Sequence, residues 1–162
     1  MKPRIYIDTS VFGVSITTLN DPKSRFMREY ARRFFSLRSG YEGFISEVVL
    51  QEVGMAPAAV KEALKPLISG FPLLPLTPVA LDVARMYRTR FVMPTGNESD
   101  SVHVAIAVVH RMDSIVTWNL KHMANPAKQE TLRLINSSLS LPSPVICSPL
   151  EWVSSLDVEE EP

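Results

Sequence analysis

The chain has few of the residues that staple small folds or build soft metal sites. Its 162 residues include one cysteine, Cys147, and three histidines. A lone thiol forms no internal disulfide, and no cysteine cluster exists for a structural zinc site. A reducing cytoplasm is the expected compartment. Long apolar runs are missing as well. The longest, Val104 to Val109, falls far short of the ~20 residues that span a bilayer, so no membrane association is expected. Asp8 interrupts the first apolar stretch almost at once, against a secretory leader. Glycine is scarce, with six in all, and no glycine-rich fingerprint follows that stretch, which leaves a dinucleotide-binding fold without support. An excess of charge of either sign is also lacking, since 17 basic and 17 acidic side chains cancel. Zero net charge argues against broad nucleic-acid binding, subject to where the charges sit.

What is present is an ordinary globular composition, 46% hydrophobic and 21% charged. The length fits one domain, which buries roughly two-thirds of the surface of its unfolded chain. Short β-branched and aromatic segments, Arg4–Ile7, Phe44–Ile45, Ser114–Thr117 and Pro144–Cys147, alternate with helical patterns. Asp21-Pro22, Thr77-Pro78 and Asn125-Pro126 read as helix starts, and Ser46 as the cap of a helix through Val53. Further helices are expected over Ala58–Ile68, from Thr77-Pro78 to about Phe91, from Glu98 to about Met112, and from Asn125-Pro126 to about Leu139. Phe71–Leu76 carries too much proline for a central strand and reads as an edge strand or extended loop. The alternation predicts an α/β domain over residues 1–153, with a mostly parallel sheet of about four to five strands and helices on both faces. Residues 154–162, rich in acids, read as a tail without fixed structure.

Ligands of such sheets bind at the carboxyl ends of the strands. Asp8 follows the first strand directly, either as a carboxylate aimed into a cleft or as a helix cap ahead of Val11. Glu52 sits among Val48, Val49 and Val53, so it either reaches an edge or has a cationic partner, against the plainer reading of a solvated helix face. Asp100 opens a helix that is apolar nearly all round, which places its amino end against something central. Locally it also resembles a capping partner of Asn97. His103, one turn on, reads as a packed, hydrogen-bonded side chain. Asn119 ends the Ile115–Thr117 strand, pointing to the same edge as Asp8 or capping a short helix that contains His122. Trp118 reads as packing rather than base stacking. Oxygen donors with no Cys or His set favour Mg²⁺ or Mn²⁺ over zinc. A site of that kind suits phosphodiester hydrolysis by a metal-activated water.

Four stretches in order, Ile5–Phe12, Ile45–Glu52, Ser99–Ala107 and Asp113–His122, resemble the PIN-domain nucleases, and within them the VapC-like toxins of type II toxin–antitoxin systems. Each motif is short; the four in order, over nearly the whole chain, are more specific. The resemblance implies that Asp8, Glu52 and Asp100 are the acidic ligands of Mg²⁺ or Mn²⁺, with Ser10 and Thr117 in support. The family often carries a fourth acid where this chain has Asn119, a change that removes one negative charge and bears on a second metal. It further implies endoribonuclease activity on RNA, restraint by a VapB-like antitoxin whose extended segment fills the groove, and a homodimer.

Other readings fit less well. A haloacid-dehalogenase-type phosphatase needs a second Asp where Ser10 stands, and a receiver domain needs an acidic pair that is absent. The stronger rival is a PIN-like RNA- or protein-binding module with little turnover, for which Asn119 speaks. The zero charge also hides an asymmetry. Lys23, Arg25, Arg28, Arg32, Arg33 and Arg38 face only Glu29 in that segment, a local charge of +5. Arg25, Arg28, Arg32 and Arg33 are therefore candidate RNA contacts, against the plainer reading of a solvated helix face.

Overall fold

A computed structural model describes residues 1–90 and 98–159. The elements run β1 (Arg4–Ile7), α1 (Thr9–Ser15), α2 (Pro22–Ser36), a 3₁₀ turn (Arg38–Gly40), β2 (Glu42–Ser46), α3 (Glu47–Gly54), α4 (Ala58–Ile68), β3 (Leu73–Leu74) and α5 (Pro78–Thr89). They continue with α6 (Glu98–Val109), β4 (Ser114–Val116), α7 (Leu120–Met123), α8 (Pro126–Ser138), β5 (Val145–Cys147) and α9 (Pro149–Glu159). The expected loop Pro94–Asn97, its cap Asn97, and Phe91 lie outside the described residues, as do Glu160 and Glu161.

The proline-marked starts form as their chemistry dictates. Asp21 accepts from the Ser24 amide at 3.0 Å, Thr77 from Ala80 at 3.2 Å and Asn125 from Ala127 at 3.0 Å, each followed by a proline that has no amide to satisfy. Ser46 caps α3 through the Val48 amide at 3.2 Å. Scarce glycine leaves the left-handed helix stops to other residues. Arg111 (φ 58°) follows α6 and Ser140 (φ 56°) follows α8. The Met112 amide reaches back to the Ala107 carbonyl at 2.9 Å, which closes the end of α6.

All five strands are parallel, in the order β3-β2-β1-β4-β5. The proline-rich Leu73–Leu74 segment is an edge strand, as its composition requires. Ile5, Tyr6 and Ile7 of central β1 are fully buried, and so are Val104 to Val108 of α6. Phe34 stacks on Tyr41 at 4.7 Å and meets Trp152 edge-on at 5.2 Å. A Cβ on Gly43 of β2 would meet the Phe71 ring at 2.7 Å, so this strand position has room only for glycine.

The expected tail does not begin at residue 154. Helix α9 crosses that boundary and continues to Glu159. Trp152 and Val153 are buried and Leu156 packs on the core, a helical spacing that outweighs the acidic composition around it. Ser148 and Glu151 form a reciprocal capping box, each side chain accepting from the other's amide at 3.1 Å.

Register decides what stands at the edge of the sheet. Ile7 pairs with Val116, so β1 and β4 end level and the next residues, Asp8 and Thr117, emerge side by side. The Asp8 amide donates to the Val116 carbonyl at 3.0 Å and extends the pairing one step. Among the described residues, no helix is long and apolar enough to cross a membrane.

Candidate active site at the carboxyl edge of the sheet

Asp8 both caps α1 and faces a cavity. Its Oδ2 accepts from the Ser10 amide (3.3 Å), the Ser10 hydroxyl (2.6 Å) and the Thr117 hydroxyl (2.9 Å). Ser10 Oγ in turn accepts from the Trp118 amide, and Thr117 Oγ1 from the Asn119 amide, both at 2.9 Å. The two hydroxyls thus clamp one carboxylate oxygen between the ends of β1 and β4. The other, Oδ1, lies 3.6 Å from His103 Nε2.

Asp100, in the first turn of α6, is buried like Asp8. Its Oδ1 accepts from Asn119 Nδ2 at 2.9 Å. Asn119 opens α7 without a side-chain capping bond, so its amide serves Asp100 rather than the helix. Among the described residues Asp100 Oδ2 is buried without a hydrogen-bond partner, and His122 Nδ1 lies 3.5 Å away. Burial raises the Asp100 carboxyl above the ordinary carboxylate range; the Asn119 amide opposes this and the Asp8 charge adds to it.

Glu52 comes from α3 and is partly exposed to the cavity. The Thr9 hydroxyl donates to its Oε1 at 3.0 Å, and His103 Nε2 hydrogen-bonds to the same oxygen. His103 is buried, as expected of a packed residue. Its Nδ1 meets the Tyr6 hydroxyl, which reaches Ser46 Oγ at 2.7 Å. Burial opposes protonation of His103, but its bond to Glu52 and the nearby charges of Asp8, Glu52 and Asp100 outweigh that and raise its pKa. Burial also keeps the Tyr6 phenol protonated far beyond its usual range.

The structure therefore brings Asp8, Ser10, Glu52, Asp100 and Asn119 around one cavity of about 500 Å³, with Thr117 behind Asp8. Its donor chemistry, carboxylates and an amide, fits a hard divalent cation. The unbonded, buried Asp100 Oδ2 is where a cation is most needed. Among the described residues, however, no three His, Cys, Asp or Glu side chains are gathered closely enough to hold a metal ion. The third carboxylate is instead tied to Thr9 and His103. Sequence reasoning missed Thr9 and His122 as parts of this site. The spacing Asn119–His122, one turn of α7, was the available signal for the second.

Asp113 lies at the opposite end of β4, where its carboxylate accepts from the Arg4 amide at 2.8 Å. Trp118 is partly buried against the core, as its packing reading requires, although its Nε1 is buried without a partner among the described residues. The four α2 arginines are not in the acid cavity. Arg28 donates to the carbonyls of Thr17 (2.8 Å) and Leu19 (2.9 Å), and Arg32 Nε to that of Ser15 (2.9 Å). Arg33 lies over the Tyr30 ring, 5.2 Å from its centroid.

No family model and no curated protein matches the chain. Solved structures do. A chain of VapBC2 from Rickettsia felis, bound to a DNA fragment from its promoter, superposes with a TM-score of 0.58 at 16% identity, covering 90% of this chain and 98% of that one. A chain of a toxin–antitoxin complex from Klebsiella pneumoniae gives 0.54 at 17% identity, covering 76% and 93%. With its five parallel strands and surrounding helices, the chain has a PIN-like fold, similar to that of a chain in VapBC2 and of one in the Klebsiella toxin–antitoxin complex.

Proposed function

We propose that the chain is a Mg²⁺- or Mn²⁺-dependent endoribonuclease, the toxin of a VapBC-like pair. The observation that carries this reading is the convergence of Asp8, Glu52 and Asp100 on one cavity at the carboxyl edge of the sheet. Asp8 and Asp100 would hold the cation, while Glu52, tied to Thr9 and His103, faces the same cavity from α3. When bound, such an ion activates a water and stabilises the leaving oxygen of the phosphodiester. The chain's own part is to fix the ligands. Ser10 and Thr117 immobilise Asp8, Asn119 orients Asp100, and Thr9 and His103 hold one oxygen of Glu52.

The fold shared with chains of toxin–antitoxin complexes supports a VapB-like antitoxin as the partner. A cytoplasmic homodimer belongs to the same proposal.

RNA cleavage by the purified chain, with Mg²⁺ or Mn²⁺ and with chelator, tests the reading. Cleavage should need the cation and fall by at least ~100-fold in Asp8→Asn, beyond the 10–100-fold typical of outer-shell changes. Cleavage indifferent to chelation and to Asp8→Asn overturns it. One observation favours a second reading, a PIN-like binding module with little turnover. The Asn119 amide occupies Asp100 Oδ1, where the related nucleases often carry a fourth acid. RNA binding without metal-dependent cleavage would select that module.

A further inference from the structure

The donors around the three acids follow one pattern: they hold a single oxygen of each carboxylate. At Asp8 the held atom is Oδ2, which accepts from the Ser10 amide and from the hydroxyls of Ser10 and Thr117. At Glu52 it is Oε1, bonded to the Thr9 hydroxyl and to His103 Nε2. At Asp100 it is Oδ1, which accepts from the Asn119 amide nitrogen at 2.9 Å. Asp8 Oδ1 and Glu52 Oε2 take none of these bonds, and Asp100 Oδ2 is buried without a hydrogen-bond partner among the described residues.

These bonds also make the acids rigid. Asp8 and Asp100 are both buried. Asp8 is clamped between the ends of β1 and β4, and Asp100 is tied from the first turn of α6 to the residue that opens α7. Turning either carboxylate to present both oxygens to one ion breaks at least one charge-assisted bond away from water. Divalent cations differ in how much this matters. Ca²⁺ gathers about six to eight oxygens at ~2.3–2.6 Å, and two oxygens of one carboxylate often supply a pair of them. Mg²⁺ binds through one or two carboxylates at ~2.0–2.1 Å and keeps several waters. Mn²⁺ shares its preference for an octahedron of oxygens. Single, immobile oxygens therefore satisfy the small ions and leave Ca²⁺ short of ligands.

We propose that these donors set the cation specificity of the site, with Asn119 as the residue that sets it at Asp100. Because one oxygen of each acid is held, ligation is restricted to single oxygens, which selects Mg²⁺ or Mn²⁺ against Ca²⁺. An acid at position 119 would add a ligand; the amide that stands there instead restricts one, and its nitrogen must face Asp100 because a carboxylate only accepts. This specificity rests on the cation of the proposed function and needs no turnover.

Titration calorimetry of the purified chain with MnCl₂ and with CaCl₂ tests this, on the wild type and on Asn119→Leu. The wild type should bind Mn²⁺ more tightly than Ca²⁺ by about tenfold or more. Asn119→Leu should lose ~10-fold or more in Mn²⁺ affinity, as when a ligand's orienting partner is removed. Its Ca²⁺ affinity should hold or rise, because Asp100 can then offer both oxygens, so the ratio of the two falls by at least about tenfold. Infrared difference spectra supply a second readout, since the splitting of the carboxylate stretches separates one-oxygen from two-oxygen ligation. The wild type with Mn²⁺ should show the one-oxygen pattern, and Asn119→Leu with Ca²⁺ the two-oxygen pattern. If Asn119→Leu does not fold, the wild-type affinities and spectrum decide. Equal binding of Mn²⁺ and Ca²⁺ by the wild type overturns the proposal. So does an equal loss of both in Asn119→Leu, a two-oxygen pattern in the wild type, or no binding of either ion. Discrimination without metal-dependent RNA cleavage would sink the nuclease reading and leave the cation specificity standing. Mg²⁺-dependent cleavage by a chain that binds Ca²⁺ as tightly as Mn²⁺ would do the reverse.

Discussion

His103 and Glu52 share a hydrogen bond through His103 Nε2 and Glu52 Oε1, while the opposite ring nitrogen meets Tyr6. One imidazole therefore ties the central strand to the third carboxylate of the candidate site. With the proton on Nε2, every donor in the row finds an acceptor: Ser46 gives to Tyr6, Tyr6 to Nδ1, and Nε2 to Glu52.

His103→Leu should break this row at its centre, leaving the buried Tyr6 hydroxyl with Ser46 alone and Glu52 with Thr9 alone. The expected cost is ~1–3 kcal/mol of stability, the penalty for a buried group that loses its partner. In a double-mutant cycle with Glu52→Gln, urea denaturation should give a coupling of ~0.5–3 kcal/mol. Additive effects would mean that the bond contributes nothing to the fold.

Much of the fold was legible because its signals are local. Asp21-Pro22, Thr77-Pro78 and Asn125-Pro126 each carry a cap and a proline within two residues, and each starts a helix. Asp8 and Asn119 were legible for a different reason: parallel strands place whatever follows them at one edge. The His103–Glu52 bond was not, because it joins residues 51 apart and depends on which faces of α3 and α6 meet. Nothing local says that Arg28 and Arg32 close the end of α1, since their partners are backbone carbonyls. At the carboxyl end, acidic composition masked the Ser148–Glu151 box and the Trp152, Val153, Leu156 spacing that carry α9.

Cys147 gives a pH dependence of defined sign. Burial, with a smaller contribution from Glu151, pushes its thiol from the ordinary 9.0 up to about 12. The folded chain thus keeps a proton that the unfolded chain releases above pH 9. The associated stability is complete below that pH and is lost as pH rises toward 12, by about 1.4 kcal/mol at pH 10. Tyr41 and Tyr87, whose phenols are raised by burial, extend the loss at higher pH. Urea midpoints at pH 8 and pH 10 should therefore diverge in the wild type and converge by that amount in Cys147→Ala. An equal fall in both proteins would exclude Cys147 as the source.

Asn119→Asp probes the charge balance of the site. The substitution removes the amide that donates to Asp100 Oδ1 at 2.9 Å and sets a carboxylate in its place. Asp100 is already held above the ordinary range by burial and by Asp8, so a fourth carboxylate in the cavity has, among the described residues, only His103 and His122 beside Asp100 to offset it. In chelator the variant should lose ~1–3 kcal/mol, which for a chain of this size lowers the thermal midpoint by about 3–10 °C. Added Mn²⁺ should return most of that loss and raise the variant's midpoint more than the wild type's, because a ligand that binds only the folded state stabilises it in proportion to its affinity. An equal Mn²⁺ shift in both proteins would place residue 119 outside the cation's reach, and no shift in either would remove the cation from the site.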